Sequence, residues 1–203
     1  MFLFFFVKLY FLFQLNSIIL LPQINLIKHM NKVFTPRFIF VVSVIFVAAI
    51  SRLLPHLPNV TPIAAIALFG GTYINRKSFA FLIPLIALFV SDLFIGFYPE
   101  MYAIYLSFAI TVSFGFLLRK KTNLFTTFTA SIASSVVFFI LTNFAVWISP
   151  VYAYSMDLKG LTLCYEMAIP FFRNELIGSL AYNFLFFGAF YLAKQRFPVL
   201  AKA

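Results

Sequence analysis

Charge is scarce in this chain: 10% of its 203 residues are Asp, Glu, Lys or Arg, where a soluble domain carries about 25%. Hydrophobic residues make up 64% and the mean hydropathy is +1.03, which excludes a water-soluble fold and points to an integral membrane protein. At roughly 20 residues per span the length holds about six or seven spans, so any ATP-hydrolysing or enzymatic domain is expected on another polypeptide. Cysteine is nearly absent. Cys164 stands alone, which excludes an internal disulfide, and no Cys/His cluster has metal-ligand spacing. The chain also lacks G-x-x-x-x-G-K-[ST], H-E-x-x-H and G-x-S-x-G, and the topology derived below puts its two histidines, His29 and His56, in different compartments. No catalytic residue, metal ligand or cofactor is expected, and the chain reads as a non-enzyme.

What charge there is falls in the gaps between apolar runs. From residue 36 these runs cover roughly 36–51, 61–75, 78–97, 100–118, 124–148 and 173–194, broken by Pro, Gly and charge clusters. The expectation is an all-α bundle of six transmembrane helices forming one domain over residues 30–203. Lys28, Lys32 and Arg37 precede the first run, Arg76 and Lys77 follow the second, Arg119, Lys120 and Lys121 the fourth, and Lys194, Arg196 and Lys202 the sixth. The positive-inside rule makes these gaps cytoplasmic, with both termini of the six-span core inside. Basic residues at helix ends are topology signals rather than a nucleic-acid stripe, despite a net charge of +10. Run 61–75 is about 22 Å as a helix, short for a hydrocarbon core of about 30 Å. It is expected to tilt, to sit in thinned lipid or to be partly re-entrant.

Residues 1–29 form a separate apolar extension interrupted by Lys8, Gln14 and Asn16. A signal peptide needs a basic n-region and a small-residue cleavage site, and neither is present. Two readings stay open: an extra N-terminal hydrophobic helix, or translated sequence upstream of a start at Met30.

A charged side chain at the bilayer centre costs roughly 2.5–3.5 kcal/mol, so Asp92, inside the third run, demands an explanation. The derived topology brings it to the outer third of the membrane together with Arg52, Asn59, Asn143, Trp147, Arg173 and Glu175. An outward polar cavity is the expectation, with Arg52 the ion-pair partner of Asp92. Arg52, Trp147 and Arg173 also suit interfacial anchoring, and Asn143 and Asn183 suit interhelical hydrogen bonds without a ligand. The small-residue pairs Ala67/Gly71, Ala87/Ser91 and Ala130/Ser134 suit close helix packing. The long fifth gap, 149–172, carries Tyr152, Tyr154 and Tyr165 and is expected to be broken by Pro170, as a lid or as an amphipathic interfacial segment.

The strings RLLPHLPNVTPIAAIALFGG, PLIALFVSDLFIGFY and FFILTNFAVWISPVYAYSMDLKGLTLCYEMAIPFFRNELIG resemble a bacterial integral-membrane family of unknown function described as transport proteins. The resemblance covers about residues 38–192. That family is similar to the S components of energy-coupling factor transporters, six-helix vitamin-binding proteins with cytoplasmic termini and an outward pocket. The resemblance implies that Asn59, Pro62, Asp92, Asn143, Trp147 and the Pro170 to Phe172 segment are motif positions. It also implies a separate coupling subunit and ATPases as partners. One departure is that residues 38–51 hold no A-x-x-x-A pair, the docking face such components often carry.

Two functions follow as expectations. One is a substrate-binding membrane subunit of a small-solute, vitamin- or micronutrient-like uptake transporter in the bacterial inner membrane. Its partners would be the bilayer and an extracytoplasmic solute, with no nucleic acid. Arg52 and Arg173 would meet an anionic group, Asp92 and Asn143 would hydrogen-bond, and Trp147 would stack. The other is a non-transporting scaffold similar in fold to rod-shape-determining proteins of the MreD type, its polar residues serving packing or docking.

Overall fold

The computed structural model describes residues 34–55 and 57–201. The extension 1–29, the start at Met30, His29 and His56 lie outside these residues. The described chain is all-helical: α1 (Pro36–Ser51), α2 (Ile63–Tyr73), α3 (Lys77–Ile95), α4 (Met101–Leu118), α5 (Leu124–Ile148), α6 (Leu158–Arg196) and a terminal 3-10 turn, Pro198–Ala201. Of these, α3, α4, α5 and α6 are long and apolar enough to cross a membrane. Their outward faces are apolar, with Phe94, Leu117, Leu124, Leu158 and Phe184 among the most exposed side chains. Exposed apolar surface on this scale is what a lipid environment covers.

Helix boundaries follow local chemistry. Thr35 caps α1, its hydroxyl accepting from the Phe38 amide at 3.2 Å, with Pro36 at the first helical position. Asn123 and Thr126 form a reciprocal capping box that starts α5. Asp157 caps α6, its Oδ1 accepting from the Gly160 amide at 2.7 Å.

The shortest helix is the central one. α2 contacts every other helix, and all its residues except Ile63 are buried. The short span expected to tilt, to sit in thinned lipid or to be partly re-entrant is enclosed by its neighbours. A helix covered on every side by protein need not match the bilayer thickness, because its neighbours shield it from lipid. Enclosure depends on close approach to α4. A methyl group on Gly115 would come within 2.6 Å of the Leu68 carbonyl oxygen and 2.8 Å of the Gly71 Cα, and one on Gly71 would collide with the Val112 carbonyl. Arg119 then closes the end of α2, donating from Nε to Gly71 O at 2.8 Å, from Nη1 to Asn75 O at 3.0 Å and from Nη2 to Ile74 O at 2.5 Å. An arginine read as a topology signal is thus also the C-terminal cap of the core helix.

The expected lid over 149–172 is not a loop. Only the residues 149–157 connect α5 to α6, and the helix runs without interruption through Pro170. Proline removes one backbone hydrogen bond, to the Glu166 carbonyl, but the preceding turns are held from outside the helix. Tyr165 donates to Ile140 O at 2.7 Å and Cys164 Sγ to Asn143 O at 3.5 Å, both on α5. Tertiary packing overrides the breaker. Cys164 is accordingly buried in the α5–α6 contact and not displayed on a loop.

Candidate functional site

The polar residues of the 52–62, 96–100 and 149–157 end resolve into two separate assemblies. The first joins α1, α3 and α4. Asp92 is fully enclosed; its Oδ1 accepts from Arg52 Nη1 at 3.0 Å and its Oδ2 from the Tyr105 hydroxyl at 2.9 Å. Arg52 Nη1 also donates to Ser91 Oγ, whose hydroxyl in turn donates to Leu88 O at 2.7 Å. Nearby in the α3–α4 connection, burial and the Asp92 charge push the Tyr98 phenol up to about 12, against a smaller opposing effect of Arg52. Both oxygens of Asp92 are occupied by protein donors. This assembly is a buried ion pair that fastens the end of α1 to α3 and α4, with Arg52 Nε left without a partner.

The second is a cavity of about 210 Å³. Its walls are Phe138, Phe139, Thr142, Asn143 and Val146 of α5 and Ala168, Phe171, Phe172 and Glu175 of α6, closed by Ile104 of α4 and Asn59 of the α1–α2 connection. Asn59 sits at φ +62°, a left-handed conformation that Asn tolerates better than most residues. Its loop is seated on α6, where Asn174 Nδ2 donates to Pro58 O at 3.2 Å and a side chain at Gly178 would press on Val60. Phe139 and Phe172 meet across the cavity wall with ring centroids 4.6 Å apart. Asn143 Nδ2 and Thr142 Oγ1 donate back to the Phe139 and Phe138 carbonyls at 2.8 and 2.7 Å. The Glu175 side chain is buried, and Oε1 accepts from Ser135 Oγ at 3.2 Å. Its Oε2 is buried with no hydrogen-bond partner.

The structure distributes the residues expected to share an outward cavity, Arg52, Asn59, Asp92, Asn143, Trp147, Arg173 and Glu175, between different places. Asn59, Asn143 and Glu175 line this cavity, and Arg52, Asp92, Trp147 and Arg173 do not. Arg52 and Asp92 are engaged with each other. Trp147 Nε1 donates to Ser155 O at 2.9 Å, tying down the α5–α6 connection, and Arg173 is exposed. Equal depth along separate helices does not imply proximity, because α4 packs between α3 and α5. Phe172 falls in the Pro170 to Phe172 motif segment, whereas Ser135, Phe139 and Thr142 are not among the site residues the sequence points to. The signal that marks them is the i, i+4 and i, i+3 spacing of Ser135, Phe139 and Thr142 on one face of α5.

A larger groove of about 600 Å³ lies at the opposite end between α5 and α6, bounded by Tyr73, Asn123, Thr127, Asn183 and Lys194 among apolar side chains. Its one charge, Lys194, lies over the Phe190 and Tyr73 rings at 5.1 and 5.8 Å. Each holds a buried side-chain oxygen without a partner, Asn183 Oδ1 in the groove and Glu175 Oε2 in the smaller cavity, and only the second belongs to a carboxylate. Among the described residues no cluster of His, Cys, Asp and Glu could hold a metal ion.

Neither the curated proteins nor the solved structures contain a match to the chain. Residues 32–200 match the model described as a family of unknown function, DUF6580, and the chain belongs to that family.

Proposed function

We propose that this chain is a membrane subunit that captures a small solute in the α5–α6 cavity, as part of an uptake system in a bacterial inner membrane. The supporting observation is the cavity itself: aromatic walls with a few convergent polar groups, Asn59, Thr142, Asn143 and Glu175, the composition of small-molecule sites in general. At about 210 Å³ it is smaller than the roughly 300–1,000 Å³ of drug-sized sites, which selects a compact solute. The basic clusters of alternate gaps put this end outside and both core termini in the cytoplasm. The role proposed is binding, with energy supplied by a separate coupling subunit and ATPases.

The scaffold reading, similar to MreD-type proteins, draws on a different observation. Arg52 is paired with Asp92, and Trp147 is bonded to the Ser155 carbonyl, within the protein. Thermal unfolding of the purified full chain against a panel of vitamins, nucleobases, amines and small acids separates the two. A solute at about 100 times its Kd adds roughly 2.7 kcal/mol of stability, and Asn143→Ala is expected to abolish that gain while barely moving the unliganded Tm. No shift with any solute, together with a lowered unliganded Tm for Asn143→Ala, supports the scaffold.

A further inference from the structure

The charges expected to choose the solute were Arg52 and Arg173, which would favour an anion. Neither lines the cavity. Arg52 is neutralised by Asp92 at 3.0 Å, and Arg173 is exposed. The cavity lining contains no Lys or Arg, and its one ionisable side chain is Glu175.

Glu175 is 8% exposed, so it is more than nine-tenths buried. One carboxylate oxygen is satisfied by Ser135 at 3.2 Å, and Oε2 has no partner. A carboxylate removed from water without a counter-charge is strongly unfavourable. The rest of the lining includes four phenylalanines, Phe138, Phe139, Phe171 and Phe172, beside the neutral polar side chains of Asn59, Thr142 and Asn143. Ring faces attract a diffuse cation through their quadrupole. They repel an anion.

Resting on the solute-capture reading, we infer that the α5–α6 cavity selects a small organic monocation, an ammonium group whose charge meets Glu175 and whose carbon substituents lie against the four phenylalanines. Binding is non-covalent. The ligand supplies the counter-charge that the protein withholds from Oε2, so its affinity depends on charge more than on shape.

The test compares choline with 3,3-dimethylbutan-1-ol, its uncharged carbon isostere, and with 3,3-dimethylbutanoate, an anion of similar shape. Tetramethylammonium and ethylammonium complete the cationic arm. Calorimetric titration into the full-length protein in nanodiscs is expected to show binding of at least one ammonium probe and none of the isostere or the anion. Glu175→Gln is expected to weaken that binding by on the order of 100-fold. Glu175→Asp, which keeps the charge, is expected to retain the preference for choline over its isostere even if Glu175→Gln fails to fold. Equal binding of choline and the isostere overturns the inference, as does unchanged affinity in Glu175→Gln, which would mean that the carboxyl is neutral. Binding of the isostere or anion alone, lost in Asn143→Ala, refutes the cation assignment but leaves solute capture standing. Silence in all three charge classes overturns the inference and counts against capture as well.

Discussion

Asp92 shows how much a single residue discloses and where that disclosure stops. Its cost in a membrane flags it from sequence, and its depth nominates Arg52, which the structure places at 3.0 Å. The third and fourth members, Ser91 and Tyr105, were not legible, because a hydroxyl on an apolar helix carries no signal of which neighbour it faces. Removing one partner of a buried ion pair costs about 3–5 kcal/mol, since the other charge is left uncompensated. Asp92→Ala and Arg52→Ala are therefore each expected to destabilise by that order, and the double variant by clearly less than the sum. Additivity within about 0.5 kcal/mol in unfolding from detergent micelles would show that the two are not coupled.

Among the elements, the sequence-derived runs 36–51 and 124–148 coincide with α1 (Pro36–Ser51) and α5 (Leu124–Ile148), and 78–97 and 100–118 lie within two residues of α3 (Lys77–Ile95) and α4 (Met101–Leu118). The failure is α6. The apolar run starts at 173, and Pro170 reads as a break before it, whereas Asp157 caps the helix 13 residues before that proline. The signals were local and present: an Asp at the cap and Gly160 three residues on, where any side chain would collide with the Ser155 carbonyl. The Asp157 carboxyl is held below its ordinary pKa, first by the Gly160 amide and then by the Ser155 hydroxyl at 2.8 Å. A depressed carboxylate contributes stability that is present above the unfolded pKa and lost as pH falls through the folded one. The Tm difference between wild type and Asp157→Ala is thus expected at neutral pH and to vanish under strongly acidic conditions. A difference that persists in acid would mean that the cap does not act through the charged form.

For the whole molecule, the distribution of basic residues yields an orientation, and the packing of α2 inside the other helices yields the frame in which it is read. Cys164, the natural single-cysteine reporter of that orientation, is buried. In a Cys164→Ala background, Met156→Cys on the exposed α5–α6 connection is expected to react with a membrane-impermeant maleimide in intact spheroplasts. Reaction only after lysis would invert the topology and put the cavity on the cytoplasmic side. The cavity itself could not be seen in the sequence. Periodicity and hydropathy fix each residue's height along its own helix. Which helices adjoin is decided by packing such as Gly71 against Gly115, a long-range fact.

Solute capture between α5 and α6 is tested most directly by native mass spectrometry of the full-length protein released from its host membrane, beside a variant with the cavity filled. Ala168 lines the cavity, and Ala168→Leu places added methyl groups inside it without touching the Arg52–Asp92 pair. The expected result is a small-molecule adduct on the wild type that is missing from Ala168→Leu at equal folded yield. An adduct retained by Ala168→Leu, or a wild-type protein that carries none and acquires none from host extract, would contradict the account.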